Sequence, residues 1–385
     1  MKTTTVLRLS CVNALGFSAS TVMPLWLDRI AKELDMPPWF ASAAVFVQLR
    51  GAAIFNLATP FLFRNVPPLR LARIAFIVAA AAYLAAITHS PHRFLFACLV
   101  CGSGLGAVLN VTNRLMGSID HVQKGYAIFV MLEIFVALAL FLTSARLIDR
   151  AGLLAVFPVV SASAALGALL LWRLPIALLV ENRPSTPAEA AAGGKALLTL
   201  ASFALFFVGQ AALNSFMPTI GTASGLSTLQ SSQLIGLGMP CGLVGALLAR
   251  GVGERVRPVI PVTGSVILLA CTALLLAANP SRITFVLGVI VLAVTTLFSL
   301  PYFFAQLGSF NENGRYTSFG PAMMLLGLAL GPSSAVLLHA KIGLVAVGLF
   351  SAGLLAAGGI GFAAAATRFR TPTSRRGPRA HSLGA

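Results

Sequence analysis

The chain is 385 residues long, 58% hydrophobic and 10% charged, with a mean hydropathy of +0.91 and a formal net charge of +17. A soluble chain carries about a quarter charged residues, so this composition excludes a water-soluble globular protein and points to a polytopic membrane protein. The positive charge excludes little by itself: the basic residues fall in short segments between apolar runs, with no Lys/Arg-rich block interleaved with aromatics. That is the pattern of positive-inside topology, not of a nucleic-acid footprint.

Twelve apolar segments follow in order, at 6–27, 38–63, 71–90, 94–117, 123–145, 152–174, 196–219, 229–250, 258–278, 282–307, 316–338 and 342–367. The first, about 22 residues long, is enough to cross a hydrocarbon core of ~30 Å and lacks a small-residue cleavage site, so it is read as a span and not a secretory signal. Breaks between segments are polar or rich in Pro and Gly, as in DRIAKELDMPP, RNVPPLRLAR, THSPHR and ENRPSTPAEAAAGGK.

With the N-terminus in the cytoplasm, eighteen Lys and Arg fall on the cytoplasmic side and seven on the other, while Arg50 and Arg114 stay within spans. This bias predicts that both termini are cytoplasmic. The break at 175–195 is the longest on the cytoplasmic side and has six segments on each side of it. It divides the chain into an N-terminal half at 1–174, a linker at 175–195, a C-terminal half at 196–367 and a basic tail at 368–385.

Polar residues are placed with a period of three segments. Segments 3, 6, 9 and 12 carry no amide or charged side chain at mid-membrane depth. Segment 1 carries Asn13, segment 2 Gln48, Arg50 and Asn56, segment 4 Asn110, Asn113 and Arg114, segment 5 Glu133, segment 7 Gln210 and Asn214, segment 8 Gln233, and segment 10 Tyr302 and Gln306. Every third helix is therefore expected to face lipid and the rest to face something polar. The richest stretch runs from Asn110 to Glu133. Asn110, Asn113 and Arg114 share one helical face, and Glu133 shares a face with Tyr126 seven residues earlier.

Two six-helix halves made of three-helix units, with polar residues spaced in this way, resemble the major facilitator superfamily of secondary transporters over roughly residues 6 to 367. The resemblance implies an all-α polytopic membrane protein of twelve transmembrane helices in two pseudo-symmetric halves. It implies that helices 1, 4, 7 and 10 line a central cavity, that 2, 5, 8 and 11 flank and gate it, and that 3, 6, 9 and 12 face lipid. The loop after segment 2 keeps the family's basic run as Arg64, Arg70 and Arg73, but TPFLFRNVPPLR has no Asp. Cys98 stands where the family's helix 4 has an Arg, four residues before Gly102. The family's Gly-x-x-x-Gly-Pro string, usual on helix 5, is matched instead on segment 11 by Gly327, Gly331 and Pro332.

Each marked residue has two readings. Ionisable side chains within spans face a bundle interior or a wet cavity and mark ligand or ion paths, or else they pair with one another. Arg50 has the planar fork that suits an anionic substrate group; its structural alternative is a pair with carbonyls or with Glu133, the one carboxylate within a span. Arg114 lies toward the cytoplasm, where it snorkels or pairs at a gate. Asn13, Asn110, Asn113, Gln210, Asn214 and Gln306 are read either as cavity lining or as interhelical hydrogen bonds. Phe17, Phe203, Phe207, Tyr302 and Phe303 either flank a ligand or fill the bundle.

Two strings are read as structural. Cys98 and Cys101 form a CLVC without a second pair or a nearby His, so they are treated as small apolar residues. Gly102-Ser103-Gly104 lacks a positioned base for serine chemistry and is read as close helix packing.

The expected site comprises Asn13, Phe17, Arg50, Asn110, Asn113, Gln210, Asn214, Tyr302 and Gln306 for substrate, Glu133 for proton coupling, and Arg64, Arg114, Gly331 and Pro332 for gating. No phosphate-binding loop is present, so an ion gradient is the expected energy source. A carboxylate moved from water into apolar surroundings takes up a proton more readily, which suits H+ as the coupling ion; a static pair of Glu133 with Arg50 or Arg114 is the alternative. The expected function is a permease for a small organic solute, an organic anion on the excess of buried positive charge. The alternatives are an efflux antiporter for neutral or cationic compounds and, more remotely, a membrane enzyme or scaffold. A monomer in a bacterial inner membrane is expected, working without cofactor, metal or nucleic acid and not as an enzyme.

Overall fold

The computed structural model describes residues 4–17, 38–88, 90–119, 121–174, 193–238, 240–310 and 314–366. Segment 1 beyond residue 17, the linker from 175 to 192 and the basic tail lie outside the described residues. Every regular element among those described is a helix.

The helices are α1 at 4–17, α2 at Pro38–Leu62, α3 at Pro68–Ala85, α4 at Pro91–Gly117, α5 at Val122–Ala151 and α6 at Val156–Trp172. They continue as α7 at Gly193–Ala223, α8 at Thr228–Val252, α9 at Val259–Ala278, α10 at Arg282–Ser309, α11 at Gly320–Ile342 and α12 at Leu344–Ala365. The helix α8 is interrupted beside Pro240, between Gly238 and Cys241. Among the described residues, eleven helices are long and apolar enough to cross a membrane; the fourteen described residues of α1, 4–17, are not one of them.

The sequence explains where helices start and stop. Proline opens α3 and α4, where its missing N–H leaves no bond unmade. Ser281 and Thr284 form a reciprocal capping box at the start of α10. The helices α5 and α11 end at Gly152 and Gly343, whose φ angles of 79° and 104° are disfavoured for a side chain with a Cβ.

The two halves repeat their packing. In the first, α2 packs on α4, α4 on α3, and α3 on α6; in the second, α8 packs on α10, α10 on α9, and α9 on α12. Glycine sets the separations. The missing Cβ of Gly102 faces the Gln48 carbonyl and that of Gly106 the Ala52 carbonyl, so α4 lies directly on α2; Gly104 similarly faces the Ala75 carbonyl on α3. The Gly102-Ser103-Gly104 string is thus a packing surface toward two neighbours. Large apolar side chains on α3, α6, α9 and α12, such as Ile77, Trp172, Ile267 and Leu349, are exposed on the outside. On a soluble protein that surface would aggregate; here it meets lipid.

The halves meet at one end of the bundle, where α4 passes into α5 and α10 into α11. There α5 packs against α8 and α10, and the turn before α11 packs against α4. The helices α2 and α11 also pack against each other, whereas α5 and α8 lose their cover away from that end. From residue 131 to 143 no side chain of α5 is buried, and in the first piece of α8, Thr228–Gly238, only Ser231 and Gly238 are. A helix whose one exposed face met lipid would bury the opposite face. Partial exposure all round means that a second face is uncovered, so α5 and α8 flank an open cleft.

Candidate functional site

At the closed end a polar cluster ties α1, α4 and α5 together. Asn113 donates to Asn13 Oδ1 at 3.0 Å, Thr112 donates to the same oxygen at 2.8 Å, and Asn13 reaches back to Asn113 Oδ1 at 3.4 Å. Tyr126 donates to Asn113 Oδ1 at 2.8 Å. All four side chains are buried. Buried amides and hydroxyls need such partners, and here they find them in one another.

The same cluster reaches across to the second half. Asn110 donates to the Asn56 carbonyl at 2.8 Å and to the Ser318 carbonyl at 3.4 Å. The Thr317 hydroxyl lies 3.0 Å from the Asn113 carbonyl. Gln123 donates to the Ala249 carbonyl. The ring of Tyr126 stacks on Phe304 with centroids 4.0 Å apart and planes 4° from parallel. An aromatic chain continues on both sides, from Phe17 through Phe129 to Tyr126, and from Phe304 through Phe203 and Phe303 to Phe362. These rings are buried and close the floor of the cleft.

Glu133 stands just above that floor. It shares the helical face of Tyr126 and Phe129 and is half-buried, with no hydrogen bond or ion pair among the described residues. Arg50 is exposed, with its guanidinium 4.4 Å from the centroid of the Phe46 ring, a cation–π contact. Phe46, Arg50, Ile54 and Phe61 are all exposed. They lie on the side of α2 away from α4, since Gln48, Ala52 and Asn56 hold the α4 face. Arg50 and Glu133 are therefore not a pair.

The expected gating residues are dispersed. Arg64 is exposed in the turn after α2. Arg114 is half-buried in the last turn of α4, a position where a cation complements the helix dipole, and its carbonyl meets Gly314 at the closed end. Gly327 and Gly331 lie against the α7 backbone at Phe207 and Val208, and Pro332 is inside the same helix; this string packs α11 within the second half.

The second half has its own polar positions. Phe206 on α7 and Phe303 on α10 are in contact, with centroids 5.4 Å apart. The helices run antiparallel, so one turn forward along α7 and one turn back along α10 puts Gln210 level with Ser299. Gln210 Oε1, the Ser299 hydroxyl, the Tyr302 hydroxyl and the Thr296 hydroxyl are buried and have no hydrogen-bond partner among the described residues. Gln306 donates to the Ala365 carbonyl on α12 at 3.2 Å, and Asn214 is exposed near the far end of α7. Thr296 and Ser299 were not marked by sequence reasoning. Hydroxyls pass in helices because they usually bond the carbonyl four residues back, as Thr295 does; nothing in the sequence separates the two cases.

Cys98 and Cys101 line a small cavity with Gln48 and Tyr83, between α2, α3, α4 and α6 and away from the cleft. Gln48 donates to the Tyr83 hydroxyl at 3.2 Å. Among the described residues no three His, Cys, Asp or Glu side chains converge.

No protein-family model matches the chain, and no curated protein matches it in sequence. Solved structures do match. FucP, a major facilitator superfamily transporter in its outward conformation, superposes with a TM-score of 0.74 at 15% identity, over 95% of this chain and 99% of that one. Human MFSD10, an organic anion transporter, gives 0.68 at 16% identity over 93% and 98%. The proton:xylose symporter XylE gives 0.68 at 11% identity over 92% and 94%.

The chain has the major facilitator fold.

Within the major facilitator fold, α1–α6 and α7–α12 form the two halves, and the Asn13, Glu133, Gln210 and Tyr302 positions fall on α1, α5, α7 and α10, not on α3, α6, α9 or α12. The chain is an integral membrane protein of this fold, and its sequence is far from those of the structures it superposes on.

Proposed function

We propose that the protein is a secondary transporter that moves a small organic solute by rocking its two halves about a central site. The observation that carries this reading is the cleft: closed by the aromatic floor and the Asn113 cluster at one end, uncovered along α5 and α8 at the other, with an unpartnered acid, Glu133, just above the floor. The bias of Lys and Arg puts the closed end at the cytoplasm, so the structure is read as outward-facing, with both termini cytoplasmic in a bacterial inner membrane and the monomer as the working unit.

Glu133 is the proposed proton carrier. An acid reached by water from one side of the membrane in one state and from the other side in the other state exchanges its proton with the two sides in turn. FucP is a fucose:proton symporter and XylE a proton:xylose symporter, which supports H+ as the coupling ion. The polar contacts proposed for the solute are Gln210, Ser299 and Tyr302 from the second half, with Asn214 and Gln306 on the same two helices. Arg50 is the proposed anchor for an organic anion, because no carboxylate among the described residues neutralises it.

A second reading, a neutral or cationic solute, is favoured by Glu133 itself: it is an acid at the cleft floor, whereas Arg50 stands on the side of α2 away from α4. The test is flux into liposomes holding the purified protein, with panels of organic anions, neutral polyols and organic cations, under an imposed pH gradient. Accumulation of anions alone supports the first reading and of cations alone the second. No gradient-driven movement of any solute in the three panels refutes proton-coupled transport of these classes.

A further inference from the structure

The closed end contains a fitted joint that neither half makes alone. Between α10 and α11 the chain turns through Gly314, whose φ is +64°, and forms a short 3-10 turn at Thr317–Phe319. This turn enters the C-terminal end of α4. Gly314 lies against the Arg114 carbonyl so closely that a Cβ there would overlap it. Thr317, fully buried, lies against Gly117, the last residue of α4, where a methyl group on Gly117 would fall inside the Thr317 side chain. The Thr317 hydroxyl is 3.0 Å from the Asn113 carbonyl and 2.6 Å from that of Gly314. The next residue, Ser318, presents its carbonyl to Asn110 at 3.4 Å. At the end of α10 a Cβ on Gly308 would come within 3.1 Å of the Val122 side chain, so the joint continues onto α5.

We propose that the 314–318 turn is the key of the gate at this end, and that the side-chain-free socket at Gly117 sets how firmly the end stays shut. The inference rests on the transporter reading for its purpose but not for its test. In the structure the α4 main chain has spent its last carbonyls at a helix terminus, where they lack intrahelical partners. Just before them, the Asn113 carbonyl, which the Tyr126 hydroxyl approaches at 3.3 Å from its own half, takes a further hydrogen bond from Thr317 in the opposite half. Opening this end breaks that contact and empties the Gly117 socket together, so one turn of chain reports and restrains the movement of both halves.

Hydrogen–deuterium exchange of the full-length protein in detergent reads the joint directly. The variants are Gly117→Ala, which fills the socket, and Thr317→Val, which keeps the shape and removes the hydroxyl. Overpacking of a fitted contact predicts that Gly117→Ala speeds exchange of 110–117 and 314–320 by about ten-fold or more. Loss of one interhelical hydrogen bond predicts about three-fold for Thr317→Val in the same segments. Exchange in α9 and α12 stays as in the parent chain. Adding Thr317→Ala to Gly117→Ala vacates most of the overlap and restores part of the protection.

Unchanged exchange at 314–320 in both folded variants overturns the proposal, and so does an increase spread evenly over the second half. The transporter reading fails separately. If exchange follows the pattern above while no solute moves in liposomes, the joint stands and transport falls. If a solute moves and exchange is unchanged, transport stands and the joint falls.

Discussion

Asn13 and Asn113 stand 100 positions apart in sequence and exchange two hydrogen bonds, at 3.0 and 3.4 Å. If these bonds are struts of the N-terminal half, the two side chains must be energetically coupled. Interhelical hydrogen bonds within membranes average about 0.6 kcal/mol and reach about 1.7. Asn113 also accepts from Tyr126 at 2.8 Å, so Asn113→Ala removes three interhelical bonds and leaves buried polar atoms behind. That is expected to cost about 2–4 kcal/mol. Asn13→Ala removes the pair and a bond from Thr112. A double-mutant cycle isolates the shared part, about 1–2 kcal/mol for the two bonds between them. Reversible unfolding in mixed detergent–SDS micelles supplies the four free energies. A coupling energy near zero, with each single variant as stable as the parent, refutes the assignment of these residues as struts. A loss of solute affinity at unchanged stability would make them ligands instead.

Three further outcomes are expected. Glu133→Gln fixes the neutral form; it should abolish accumulation driven by a pH gradient while leaving counterflow exchange largely intact, and normal accumulation with the normal pH dependence removes Glu133 from the coupling path. Arg50→Lys keeps the charge but loses the fork, so it should impair transport of an organic anion as Arg50→Ala does; normal transport by both folded variants leaves Arg50 a surface cation on Phe46. A reporter active only outside the cytoplasm should be active when fused after Asp35 or Gly225 and silent near Ala188, and activity at Ala188 would overturn the placement of the linker.

The spans were legible because an apolar run must end where its helix leaves the membrane. The segment expected at 258–278 is the helix Val259–Ala278, and that expected at 282–307 is Arg282–Ser309. The polar face of segment 4 was legible for the same reason, since amides in such a run need partners. Which partner each amide takes was not. That Asn113 meets Asn13 and Tyr126, and that its carbonyl meets Thr317, depends on how helices cross. Arg50 shows the limit in another way: a central position in a span gives depth, but not which side of the helix faces the cleft. Gly117 and Gly314 carried no mark at all, because a glycine at a helix end or in a turn has many causes. Only the approach of a second chain segment shows which one applies.

Buried polar residues that satisfy one another are read as struts, and those left without a partner, which occur in both halves, are where a ligand role is to be tested. In the first half Asn13, Thr112, Asn113 and Tyr126 satisfy one another. In the second half Gln210 Oε1 and the hydroxyls of Ser299 and Tyr302 are buried with no partner among the described residues. An unsatisfied buried polar group costs about 1–3 kcal/mol, so it weakens the bundle unless its use lies elsewhere. Ser299→Ala and Tyr302→Phe each remove such an atom with little change in shape. Each is expected to leave thermal stability unchanged or to raise it, by about 0–2 kcal/mol, while raising the solute concentration needed for half-maximal transport. Asn113→Ala should do the reverse and lower stability first. Melting in detergent and flux in liposomes, measured on the same preparations, give both quantities. If Ser299→Ala and Tyr302→Phe destabilise the protein and leave flux untouched, their hydroxyls are structural, and the solute must be held by other residues of the cleft.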